Sequence, residues 1–153
     1  MSDEELDILK RYGFECDHVT ELGTGEGYST WAFIFSAGKV VSVDIKKPKD
    51  SVLLKFIDFI HADNLTIDIE ETDLLFIDTH HTYGQLIQEL SRHGNKSRKY
   101  IIMHDTNVYG VVGNNNEEGL LKAIDEFLLN NPHWSIDAIY KTDAGLTILK
   151  RDE

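Results

Sequence analysis

Short apolar runs alternate along the chain with longer amphipathic ones, and no internal repeat or low-complexity tract interrupts them. Residues 3 to 12, "DEELDILKRY", suit a helix, with acidic residues in the first turn and Leu6, Ile8 and Leu9 free to form one face. "HVTEL" reads as a strand, "YSTWAFIFSA" as a helix terminated by Gly38, and "KVVSVDI" as a second strand. The stretch "SVLLKFIDFIHAD" reads as a compressed helical piece running into an extended end, about "FIDFIH". "DLLFID" and "KYIIMHD" have the composition of buried strands and flank the helical pattern "TYGQLIQELSRHG". "NVYGVVGNNNEEG" is turn-rich and predicts a mobile loop, followed by the helix "LLKAIDEFLLNN", which stops near Pro132. The tail changes character: "WSIDAIY" and "LTILKR" are strands joined by "KTDAG", short enough for an antiparallel hairpin. The pattern predicts an α/β fold, with five strands in a mostly parallel sheet built through right-handed crossovers and a C-terminal antiparallel hairpin that brings the total to seven.

At 153 residues the chain is one domain, spanning 1–153, that buries about two-thirds of its unfolded surface. Its single cysteine, Cys16, has no internal partner, and no N-terminal apolar run resembles a signal peptide, so a reducing, cytoplasmic setting is expected. The longest apolar runs are strand-sized, well short of the roughly 20 residues a spanning helix needs, so no membrane partner is expected. The net charge of −12 opposes nucleic acid as a partner, since such binding depends on Lys and Arg displacing counterions.

The segment "VTELGTGEGYST", residues 19 to 30, places three glycines in five positions after a strand. A glycine-rich turn between a strand and its helix is where a doubly wound sheet brings bare backbone close to a ligand and turns helix N–H groups toward it. The dinucleotide spacing G-x-G-x-x-G is not met, because Tyr28 occupies the third position and Gly27 comes one place early, which disfavours NAD. Asp44, ending the second strand 19 residues after Gly25, stands near the offset from which an acidic side chain binds ribose hydroxyls.

Spaced as E-x-G-x-G-x-G from Glu21, the turn resembles the first motif of class I S-adenosylmethionine-dependent methyltransferases. "HADN", residues 61 to 64, resembles that family's Gly-Asp element, with Ala62 in place of the usual glycine. "DLLFIDTHHTYGQLIQEL", "YIIMHDT" and "GLTILKR" resemble the branch that holds cephalosporin-hydroxylase-like proteins and small-molecule O-methyltransferases. The resemblance implies a Rossmann-like methyltransferase fold with S-adenosyl-L-methionine held by Glu21, Gly23, Thr24, Gly25, Gly27, Tyr28, Ser29, Asp44, Asp63, Asn64 and Asp78. A strand-end carboxylate such as Glu21 suits a cofactor that carries a cationic amino group and a sulfonium.

In metal-dependent relatives, acidic residues ending the fourth and fifth strands bind a divalent ion that positions and acidifies the acceptor hydroxyl. Those positions here are Asp78, His104 and Asp105, with His104 where an acid is usual and Thr106 where an amide is usual. The mixed set is compatible with Mg2+, Mn2+ or iron and leaves open whether a metal is required. His81 matches the histidine of "FIDxxHxY"; a histidine of near-neutral pKa can take the acceptor's proton, which makes His81, Asp78, His104 and Asp105 the candidate catalytic set. His80 matches nothing in the motif. The loop 107–118 is expected to act as a lid. The acceptor implied is a small polar hydroxyl compound, sugar-like by analogy, selected by short loops or a neighbouring subunit in a homo-oligomer. The competing reading is a non-catalytic cofactor- or nucleotide-binding module or partner subunit.

Overall fold

The computed structural model describes residues 1–153. Helix α1 (Asp3–Gly13) begins in a capping box: Ser2 Oγ accepts the Glu5 N–H at 3.2 Å, and Glu5 Oε2 accepts the Ser2 N–H at 2.9 Å. Strands β1 (His18–Leu22), β2 (Lys39–Asp44), β3 (Asp58–His61), β4 (Thr72–Ile77) and β5 (Ser97–His104) are joined by parallel pairings. Helices α2 (Tyr28–Ser36), α3 (Tyr83–His93) and α4 (Leu120–Asn130) and the closing strands β6 (Trp134–Tyr140) and β7 (Leu146–Arg151) complete the chain. The sheet order is β3-β2-β1-β4-β5-β7-β6, the seven-stranded, mostly parallel arrangement expected from the sequence.

The hairpin is antiparallel as expected, but its last strand is not the sheet edge. β7 inserts beside β5, with Ile102 opposite Ile148, and β6 takes the outside. The physical reason is burial: Leu146, Ile148 and Leu149 have no exposed area, whereas Ile136 and Ile139 of β6 remain about half exposed, at 47% and 51%. The crossovers around β3 are thin. Residues 45–57 contain only a single turn of 3-10 helix at Leu53–Lys55, and residues 62–71 contain no helix.

The core lies in two layers, one on each face. Leu22, Leu75, Ile77, Ile101 and Met103 pack beneath Leu86, Leu90, Ile124 and Phe127 of α3 and α4. On the other face, Leu74, Phe76, Ile102 and Ile148 pack against Ile8 and Leu9 of α1 and Phe33 of α2. The register aligns the strand ends that matter: Leu22 is level with Val43 and with Ile77, and Ile77 with Met103, so Gly23, Asp44, Asp78 and His104 leave the sheet at one height.

The segment expected to be a mobile loop is folded. The Gly113 N–H donates to Glu117 O, the Gly119 N–H to Val111 O, and Val112 bridges Glu118. This small hairpin is pinned to the β4–α3 connection, where Asn114 Oδ1 accepts the His81 N–H and the Asn114 N–H donates to His81 O.

The glycine turn has an internal cause as well as any external one. Gly23, at φ 91°, has no room for a Cβ, which would lie 2.0 Å from the Asp78 carbonyl oxygen. Gly25, at φ 53°, has nothing within 4 Å of that position. Gly23→Ala is therefore expected to cost about 3 kcal/mol in urea unfolding, from strain plus a backbone clash, whereas Gly25→Ala costs about 1 kcal/mol, from the left-handed backbone alone.

Candidate active site

Three carboxylates shape the glycine turn from different sides. Glu21, the last-but-one residue of β1, is fully buried beneath it: Ser29 Oγ donates to its Oε1, and Thr30 Oγ1 and Ser42 Oγ donate to its Oε2 at 2.6 and 2.7 Å. It lines no part of the cleft above and holds the base of the turn. Desolvation raises its pKa to about 7 against the lowering effect of the three hydroxyls. Asp44, ending β2, buttresses the turn from the side, its Oδ2 accepting the N–H groups of Thr24 and Gly25 at 2.9 and 3.1 Å. Asp63 is exposed at the cleft wall, with Oδ1 accepting the Leu65 N–H.

A cleft of about 430 Å³ runs from Asp44, Lys46, Asp63 and Asn64 across Gly23 and Gly25 to Asp78. A second hollow of about 150 Å³ continues over the turn, lined by Thr24, Gly27, Tyr28 and Ser29 and reaching Asp78, His104 and Met1. Gly23, Gly25 and Asp78 belong to both, so the two form one trough. Every residue expected at the cofactor except Glu21 borders it. Asn64 is buried, donating from Nδ2 to Glu89 Oε1 at 2.9 Å while its Oδ1 has no partner. Tyr83 donates to Glu126 at 2.5 Å between α3 and α4.

The four candidate catalytic residues converge beside this trough, with Asp78 and His104 forming part of its wall. Asp105 adopts φ 62°, a conformation disfavoured for a residue with a Cβ. Its Oδ2 lies 2.8 Å from His81 Nε2 and 3.0 Å from His104 Nδ1. Asp78 approaches the same two nitrogens, Oδ1 at 3.5 Å from His81 and Oδ2 at 3.3 Å from His104. His81 lies flat on Tyr109, ring centroids 4.5 Å apart and planes 5° from parallel. Burial disfavours charge on both imidazoles, but Asp105 and Asp78 outweigh it, raising His81 to about 9 and His104 to about 10. The same contacts hold both carboxyls below the usual carboxylate range despite burial. In the chain alone the two carboxylates thus favour a protonated His81 ring, above the near-neutral value expected from the sequence.

Two observations bear on a metal. Asp78, His104 and Asp105 each present a ligand atom, all within 4.8 Å of one another. His104 Nδ1 and His81 Nε2 are buried, and although close to carboxylate oxygens, neither is aligned for a hydrogen bond. Two carboxylates facing two ring nitrogens are balanced either by two protons or by one divalent cation with both rings neutral. The donor set therefore fits a divalent ion that accepts mixed oxygen and nitrogen ligands.

Residues not anticipated from the sequence complete the site. Glu5, from α1, is fully buried, with Oε1 lying 3.3 Å from His104 Nε2 and accepting the Gly145 N–H at 3.1 Å. Glu89, on α3, takes hydrogen bonds from Thr79, Gln85 and Asn64 on one oxygen, and burial pushes its pKa up against them. The S-x-x-E spacing at Ser2 and Glu5 signals a helix cap, but nothing local points to a partner 99 residues away.

Neither a family model nor a curated protein sequence matches the chain. Solved structures do. A candidate caffeoyl-CoA O-methyltransferase from Staphylococcus aureus superposes with TM-score 0.69 at 16% identity, covering 99% of this chain and 84% of that one. The S-adenosylhomocysteine-bound methyltransferase PaMTH1 from Podospora anserina gives TM-score 0.70 at 16% identity, covering 100% and 80%. The N-methyltransferase NodS from Bradyrhizobium japonicum, also with S-adenosylhomocysteine, gives 0.73 at 12% identity, covering 98% and 87%. The fold is that of class I methyltransferases, and because these neighbours include O- and N-methyltransferases, the fold leaves the acceptor atom open.

The buried carboxyl beneath the turn makes a prediction. Glu21 is protonated in the folded chain over a range where the unfolded chain ionises, so folding binds a proton between about 4.5 and about 7. Its contribution to stability is full below about 4.5 and is lost as pH rises to about 7. Urea unfolding across this window should show wild type losing roughly 2–4 kcal/mol relative to Glu21→Gln. Parallel pH profiles for the two proteins would refute the assignment.

Proposed function

We propose, on the premise of the class I methyltransferase fold, that the chain transfers the methyl group of S-adenosyl-L-methionine to a hydroxyl of a small polar, sugar-like acceptor, assisted by a divalent metal. The single observation that carries the reading is the continuity of the trough: a cleft walled by Asp44, Asp63 and Asn64 crosses a glycine turn and is bordered by Asp78 and His104, which stand against His81 and Asp105. The adenosine half of the cofactor would lie against Asp44, Asp63 and Asn64, and the methionine half over Thr24 to Ser29.

Methyl transfer is an in-line displacement, so the protein's contribution is alignment of donor and acceptor and removal of the acceptor's proton. Asp78, which borders both halves of the trough, stands where donor and acceptor meet. Asp78, His104 and Asp105 would hold the metal, whose positive charge acidifies the acceptor hydroxyl and offsets the field that keeps His81 protonated. With that field offset, His81 would be the group to take the hydroxyl proton, its ring plane fixed by the stack on Tyr109.

Calorimetry with S-adenosylmethionine, followed by a methyl-turnover assay on a panel of hydroxyl compounds with Mn2+ or Mg2+, tests the reading. Asp44→Ala is expected to weaken cofactor binding about 10-fold. Asp105→Asn should leave cofactor affinity within about 2-fold while lowering turnover about 100-fold or more. Tight cofactor binding without turnover on any acceptor would favour a non-catalytic binding module, and no binding at millimolar cofactor would end the assignment.

A further inference from the structure

We infer that Glu5, in the first turn of α1, is a positioning residue of the cluster: its buried carboxylate accepts the Nε2–H of His104 and thereby turns His104 Nδ1 toward Asp78 and Asp105. The part of this inference that concerns metal rests on the function proposed above; the hydrogen bond itself does not.

Glu5 is held by three elements at once. Its Oε2 accepts the Ser2 N–H at the start of α1, and its Oε1 accepts the Gly145 N–H just before β7 while standing 3.3 Å from His104 Nε2 at the end of β5. Both Glu5 and His104 are buried, at 0% and 7% exposure, so the side chains have little freedom to exchange this pairing for water. Both oxygens of Glu5 already accept backbone N–H groups, from Ser2 and Gly145, so the carboxyl faces His104 as an acceptor and the ring nitrogen opposite carries the hydrogen. With Nε2 so committed, a neutral His104 has its lone pair on Nδ1, and Nδ1 faces two further carboxylates, at 3.0 and 3.3 Å. A lone pair opposed to two anions is repulsive unless a cation stands between them.

A second proton on His104 supplies that positive charge in the chain alone, and a divalent ion would supply it with Nδ1 as ligand. In either case the Nε2–H bond to Glu5 persists. It fixes the tautomer, sets the ring plane, and raises the basicity of the nitrogen that binds, as second carboxylates do for metal-bound imidazoles generally. The helix cap and the site thus share one side chain. The order of α1 becomes a condition for a competent cluster, and α1 also brings Met1 to the wall of the trough.

Two measurements on the full chain test this. The first is Mn2+ binding, followed by electron paramagnetic resonance of free Mn2+, for wild type, Glu5→Ala, Glu5→Gln, Asp105→Asn and Ser2→Ala. Glu5→Ala should weaken Mn2+ binding about 10–100-fold. Glu5→Gln, which keeps an oxygen facing Nε2, should recover part of the loss, and Ser2→Ala, which removes only the cap hydroxyl, should match wild type. The second is 15N–1H correlation of the histidine rings without metal, where wild type should show a His104 Nε2–H protected from exchange and Glu5→Ala should lose that protection. Wild-type Mn2+ affinity in Glu5→Ala, or a His104 Nε2 that carries no proton, would overturn the inference while leaving the metal site standing. Wild type and Asp105→Asn that both fail to bind Mn2+ would overturn the metal reading instead. The ring spectra then decide alone: an Nε2–H equally protected in Glu5→Ala sinks the inference, and lost protection supports it. Should Glu5→Ala fail to fold, Glu5→Gln supplies both readouts, with an Mn2+ affinity and an exchange rate identical to wild type counting against the proposal.

Discussion

Negative charge gathered at one edge of the sheet is the constraint from which the rest of this structure follows. Parallel register brings Asp44, Asp78 and Asp105 to the carboxyl ends of β2, β4 and β5, with Glu21 just beneath and Glu5 and Glu89 arriving from helices. Carboxylates this close stay ionised only where something donates to them, and each has a different answer. Glu21 takes three hydroxyls, though burial raises it toward neutrality, Asp44 takes the backbone of the glycine turn, and Asp78 and Asp105 stand within 3.5 Å of two imidazoles whose charge would balance them. A ligand carrying a sulfonium and an ammonium group complements such an edge; a pyrophosphate does not. This electrostatic preference agrees with the glycine spacing, which departs from the dinucleotide pattern at Tyr28.

The chain builds this edge with little material. The crossovers on either side of β3 carry no α-helix, so Ile60 stays 39% exposed and the Asp44–Asp63 side of the trough is walled by turns such as the one Asp63 makes with Leu65. The other end is firmer. α1 packs beside α2 and places Glu5 behind His104, while the 107–118 hairpin clamps the backbone of His81 through Asn114. One end of the trough is therefore held by local turns, and the chemical end by contacts from distant parts of the chain.

What could be read from the sequence was local. Strand and helix positions follow from period and punctuation, and the E-x-G-x-G-x-G spacing, Asp44 and the Asp63–Asn64 turn all led to one cleft, because a strand-end residue of a parallel sheet has little choice of where to point. Glu21 failed that rule: it precedes the strand end by one residue and so faces into the sheet's underside, where its partners are Ser29, Thr30 and Ser42. Gly23 needed its φ for a reason no motif contains, the Asp78 carbonyl at the position of a Cβ. The loop 107–118 has the composition of a mobile segment, yet its hydrogen bonds to His81 and Tyr83 come from a neighbour in space. Likewise the order of β6 and β7 depends on which strand buries better beside β5, a comparison that only the assembled sheet makes.

The protonation of His81 shows why the cluster reads as one unit and not as four residues with separate roles. A ring raised to about 9 favours its protonated form in the chain alone and is freed to act as a base only when another cation offsets the same pair of carboxylates. Removing either carboxylate relaxes the ring but also removes a ligand, so no single side chain sets the proton acceptor's strength. The left-handed backbone at Asp105 has a purpose in this light: it holds one carboxylate oxygen within 3.0 Å of both imidazoles, so that a charge arriving at either is felt by the other. Backbone strain of this kind persists only when neighbouring contacts over-determine it. Those contacts are the two ring nitrogens on Asp105 and, behind one of them, the buried carboxylate of Glu5.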